Sequence, residues 1–143
     1  MIKDELLVQM DQSWMILGEI VRDTGDDVWT HAGCGYVTPA RTAFHILLGV
    51  EYYIGYVSNL SKRFGKDWEK MPDESLPSQA DILTGIGELR NAMVEWVEGL
   101  DLEADNPRFP WAGETMAGVL LFALRHTMYH IGELNALLYQ HRG

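Results

Sequence analysis

The sequence predicts an all-α fold, a four-helix bundle with long connections. Four segments of roughly 20 residues place apolar side chains at three- and four-residue spacings, the period of a helix with one buried stripe. The stretches between them are rich in Gly, Pro and Asp and read as connections. No stretch alternates convincingly with the two-residue period of a strand. Four such helices bury their stripes most simply against one another.

The first helix carries Leu7, Met10, Trp14, Leu17 and Val21 on one stripe, with Asp4 and Glu5 favouring its start. Asp23-Thr24-Gly25-Asp26-Asp27 ends it. Thr38 caps the second helix, and Pro39 fits the first helical position, where no amide hydrogen is needed. This helix is expected to carry His45, Leu48, Gly49, Tyr52, Tyr53 and Tyr56 on one face and to stop near Leu60-Ser61. Ser78 caps the third, whose stripe is Ile82, Ile86, Leu89, Met93, Trp96 and Leu100. Gly85, Gly87 and Gly99 lower its intrinsic propensity, so it depends on packing. The fourth is expected to start at 113–115 and run to about Gln140, with Leu120, Leu124, Thr127, Ile131, Leu134 and Leu138 as its seam. Connections longer than a hairpin turn permit crossovers, so the order of helices around the bundle stays open.

The chain has 143 residues, 47% hydrophobic and 22% charged, which suits one domain, 1–143, with a core of its own. Eleven Lys and Arg against 21 Asp and Glu leave a net charge of −10. Phosphate contacts need clustered cations, so nucleic-acid binding is not expected, and an anionic membrane surface would repel the chain. The single cysteine, Cys34, excludes an intramolecular disulfide and reads as an ordinary free thiol. Met1 to Glu5 turns acidic at once with no apolar signal core, and the apolar stretch from Phe44 to Val57 is too short to span a bilayer. The expectation is a soluble, cytoplasmic protein.

His126 and His130 lie four apart on the last helix, about 40° from each other around its axis and one turn along it. Val119, Ala123, Leu134 and Leu137 share that arc, so it faces the core. His45 sits mid-helix on the apolar face of the second helix. Two readings fit. Each buried imidazole can find its own hydrogen-bond partner, or one metal ion can satisfy all three. Three protein nitrogens with an open position form a catalytic-type zinc arrangement, and imidazole also suits nickel, copper and iron. Of these, zinc and nickel lead. His31 and His141 read as surface residues. Glu133, three residues after His130, is either a solvated helix residue or a carboxylate supporting the site. Most of the aromatics Trp14, Tyr52, Tyr53, Tyr56 and Trp96 read as core, with Tyr52 and Tyr56 as candidates to line a pocket.

A histidine early in the second helix followed by His126-Thr127-Met128-Tyr129-His130-Ile131-Gly132-Glu133-Leu134 resembles the DinB/YfiT superfamily, whose last helix carries an H-x-x-x-H-x-G-[EQ]-[LI] signature. These are bacterial four-helix bundles that bind a divalent metal through three histidines. The resemblance covers nearly the whole chain and puts the metal ligands on His45, His126 and His130. It implies a metal-dependent enzyme acting on a small-molecule substrate, in which the ion activates a low-molecular-weight thiol or water for transfer or isomerisation, as in thiol S-transferases and a thiol-dependent maleylpyruvate isomerase. It also implies a homodimer. It assigns no catalytic residue beyond the ligands. The competing readings are a non-catalytic, stress-related metal- or ligand-binding bundle and a structural bundle whose histidines only pack.

Overall fold

A computed structural model describes residues 2–31 and 37–142, with side chains up to residue 139. Cys34 with its neighbours Gly33 and Gly35, and the side chain of His141, lie outside the described residues. Four long helices build the bundle: α1 (Ile2–Asp23), α3 (Pro39–Ile54), α5 (Gln79–Glu98) and α6 (Met116–Arg142). Two short helices, α2 (Asp26–Trp29) and α4 (Asn59–Phe64), and 3-10 turns at Asp73–Ser75 and Pro110–Ala112 sit in the connections. No strand occurs among the described residues. None of the helices there is long and apolar enough to cross a membrane.

The predicted starts of two long helices rest on the side chains named for them. Thr38 Oγ1 accepts the Arg41 amide at 3.2 Å, with Pro39 in the first turn. Ser78 and Asp81 form a reciprocal capping box, at 3.1 and 3.0 Å. The first amides of α6 are received by the preceding connection, Met116 N donating to Ala104 O and Ala117 N to Leu102 O.

The second long helix ends earlier than expected. It stops at Ile54, not near Leu60-Ser61, because Gly55 takes a left-handed conformation (φ 70°) and donates its amide to Glu51 O. Ser58 then caps a new helix, α4, by accepting the Ser61 amide. The buried Glu51 carboxylate joins the two, its Oε1 accepting from Ser58 N and Ser61 Oγ at 2.7 and 2.6 Å.

The ring runs α1, α5, α3, α6 and back to α1. Helices consecutive in the chain, α1 with α3 and α5 with α6, therefore occupy opposite corners, which needs connections longer than hairpin turns. Two neighbouring pairs are antiparallel. Along α3 and α6, His45 meets His130, Gly49 meets His126 and Tyr53 meets Phe122, each step of four forward matched by four back. Along α1 and α5, Lys3 reaches Glu98, Asp11 pairs with Arg90 and Gln79 binds Val21 O.

The core lies inside this ring. Trp14 and Leu17, Phe44 and Leu47, Leu89 and Met93, and Leu120 and Leu134 bring fully buried side chains from the four corners. Each contributes roughly 1.5–3 kcal/mol of apolar burial. Ile86 and Leu138 are buried as the stripes predict, whereas Leu124 and Trp96 are only half-buried, packed against the core's edge.

Candidate metal centre

The antiparallel register of α3 and α6 brings the three inward histidines to one point. His130 Nε2 lies 3.3 Å from His45 Nε2 and 3.2 Å from His126 Nε2. The three ligand atoms all fall within 4.8 Å of one another, and all three residues are partly buried. Nitrogens at 2.0–2.1 Å from a tetrahedral ion stand roughly 3.3 Å apart, so the donor set fits such an ion in chemistry, and two of its three pairs already stand at that spacing. Hydrogen bonding alone fits less well. Three Nε2 atoms facing a common point can share few protons, and burial makes each unpaired nitrogen costly.

The surrounding residues hold the rings in this arrangement. Glu133 Oε1 makes a short contact to His130 Nδ1, one turn along α6. A carboxylate accepts only, so Nδ1 carries the proton and the Nε2 lone pair is directed at the cluster. Half of the Glu133 side chain stays exposed. The Trp68 indole packs on the His45 imidazole, with centroids 4.1 Å apart and planes tilted by 32°. His126 lies between Phe122, stacked at 17°, and Gly49. A Cβ on Gly49 would approach His126 Cε1 to 3.2 Å, so glycine leaves the room this ring occupies.

Burial disfavours charge on two of the rings, His45 and His126. It pushes the His45 imidazole down to about 4, with the neighbouring His130 and His126 rings adding to the effect. His126 is also lowered, first by burial, then by His130 and Arg125, with Glu133 opposing. Neutral imidazole is the form that binds metal.

Beside the cluster lies a pocket of about 290 Å³. His45 and His126 contribute to its lining, with Leu48, Gly49, Tyr53 and Trp68 as largely apolar walls. Tyr52 also lines it, although 53% exposed. Tyr56, the other tyrosine expected at a pocket, turns away and donates its hydroxyl to Glu88 Oε2 on α5 at 2.7 Å. His31 is an exposed residue bonded to Thr30 and is not one of the clustered histidines.

Three contributors to the site lie outside the histidine helices' apolar pattern. Trp68 and Lys66 come from the connection after α4, where no periodicity marks them. Arg41 had a signal. It is a charged residue one turn before His45 in an otherwise buried stretch, and such a residue needs several partners. Its guanidinium, 4% exposed, donates to the carbonyls of Trp68 and Met71 and to Asp73 Oδ1, the last two at 2.7 and 2.8 Å.

The architecture and the cluster define a class: a helical bundle with three histidines gathered beside a small pocket. The family model of the DinB superfamily matches residues 9–134, and the chain belongs to that superfamily. No curated protein and no solved structure matches the chain.

Proposed function

We propose that the chain is a divalent-metal-dependent enzyme, with His45, His126 and His130 as ligands and a low-molecular-weight thiol as co-substrate in transfer or isomerisation of a small molecule. The observation that carries this reading is the convergence of three histidines, with His130 Nε2 at tetrahedral-ligand spacing from the other two, 3.2 and 3.3 Å, beside a pocket of substrate size. Zinc and nickel suit three imidazoles. A divalent ion held by three neutral ligands supplies an open position and a positive charge that lowers the pKa of a thiol or water bound there.

The chain's own residues do the rest. Glu133 keeps the proton of His130 on Nδ1, leaving Nε2 free to donate its lone pair. Trp68 limits rotation of the His45 ring, and Phe122 and Gly49 confine that of His126. Leu48, Tyr53 and the Trp68 indole limit water in the pocket, where charge then acts more strongly.

Protein purified without a histidine tag should contain near-stoichiometric zinc or nickel by elemental analysis. Metal that binds the native state raises its melting temperature by mass action. His130→Ala should fold on the same core and lose most of that rise. Equal metal-induced shifts in the two proteins would remove His130 from the ligand set. Metal binding without thiol turnover across a panel of thiols and electrophiles would leave a binding protein in place of an enzyme.

A further inference from the structure

The charges around the pocket are unevenly distributed for a chain of net charge −10. Two charged residues outside the histidine cluster line it, Glu51 and Lys66. Glu51 is withdrawn into the protein. It is 3% exposed, its Oε1 accepts from Ser58 N and Ser61 Oγ, and its Oε2 is buried away from solvent without a hydrogen-bond partner. Lys66 is exposed and makes no ion pair among the described residues, whereas Arg41, Arg63 and Arg90 are matched with Asp73, Asp81 and Asp11. A further cation, Arg108, lies over the outer wall, its guanidinium carbon 5.6 Å from the Tyr52 ring centroid. The histidine cluster adds no negative charge, because a histidine side chain is neutral or cationic. A divalent ion on them keeps its full charge. The exposed charge lining this apolar-walled recess is therefore that of Lys66, a cation in an acidic protein.

We propose that this pocket selects a small anionic ligand, a carboxylate with a short apolar body, and that Lys66 is the residue that binds its charged end. The proposal rests on the metal-centre reading, since one end of the ligand occupies the open metal position. A volume of about 290 Å³ lies at the small end of the range for ligand pockets, so the ligand is a small acid. Repulsion by the protein's overall negative field makes a local cation the means of admitting such an anion.

The test uses full-length protein loaded with cobalt(II) and two thiols of the same shape, mercaptopropionate and its neutral amide mercaptopropionamide. Thiolate-to-cobalt absorbance reports binding of each. Wild type should bind the acid roughly tenfold more tightly than the amide, the scale of one charge-assisted hydrogen bond. Lys66→Gln should bring the two affinities together, chiefly by weakening the acid, and Lys66→Arg should keep the preference. Lys66 is exposed, so both variants should melt like wild type. Equal affinities in wild type, or a preference unchanged in Lys66→Gln, would overturn the anion subsite alone. Failure to take up cobalt, or cobalt-loaded protein that answers to neither thiol, would overturn the metal and thiol reading and this proposal with it.

Discussion

At the scale of single residues, Glu133 has the sharpest consequence. Its carboxylate meets His130 Nδ1, so it acts on the centre through the tautomer it imposes. Glu133→Ala should lower zinc affinity by about 10–100-fold, the usual effect of losing such a partner. Glu133→Gln still offers an acceptor oxygen and should retain most of the affinity. Competition titration against a chelating dye measures both. Wild-type affinity in Glu133→Ala would make Glu133 a solvated helix residue. The spacing of His126, His130 and Glu133 was readable because one helical period places all three. Their depth and partners were not, since the same arc of α6 holds a half-buried His130 and a fully buried Leu134. The hydrophobic stripe marks the direction of a side chain, and only packing decides its distance from the centre.

At the scale of elements, the helices that start with strong local chemistry were legible, and the places where tertiary contacts set the geometry were not. Thr38-Pro39 and Ser78 announce α3 and α5 through hydrogen bonds that close within three residues. The stop at Gly55 was hidden because Tyr56 and Leu60 continue an apolar pattern past it, one donating to Glu88 of α5 and the other buried in the core. The segment from Lys66 to Ser75 was also hidden. It has little regular structure, and long-range bonds to Arg41 hold it in place. Those bonds keep Trp68 against His45. Arg41→Met should therefore cost about 1.5–3 kcal/mol, the scale of lost hydrogen bonds to a charged donor. It should also expose Trp68 to acrylamide, readable as increased quenching against a Trp68→Phe background. A urea midpoint and quenching both unchanged from wild type would show that the segment holds its place without Arg41.

At the scale of the whole molecule, the ring order α1, α5, α3, α6 makes the centre what it is. It sets α3 beside α6, so a single antiparallel interface carries all three histidines, and it leaves α1 and α5 to complete the hydrophobic core. No sequence signal specifies that order, because the long connections permit several. The consequence is a fold that buries titratable nitrogens between two of its four corners, and this links stability to pH. An unfolded His45 takes up its proton near the ordinary histidine value of about 6.5. In the folded protein, burial and the adjacent His130 and His126 push it down to about 4. Between those values the unfolded state binds more protons, so metal-free protein loses stability as the pH falls from about 6.5 toward 4 and gains nothing from this residue above 6.5. His126 is lowered as well and acts with the same sign. Urea unfolding of chelator-treated protein at several pH values across this window should show the midpoint falling with pH, and His45→Asn should fall less steeply. Metal-loaded protein should fall more steeply still, since protons then compete with the ion for the same lone pairs. A metal-free midpoint that stays level or rises as the pH drops would mean that these imidazoles are solvated, and that the two helices do not enclose the centre as this register requires.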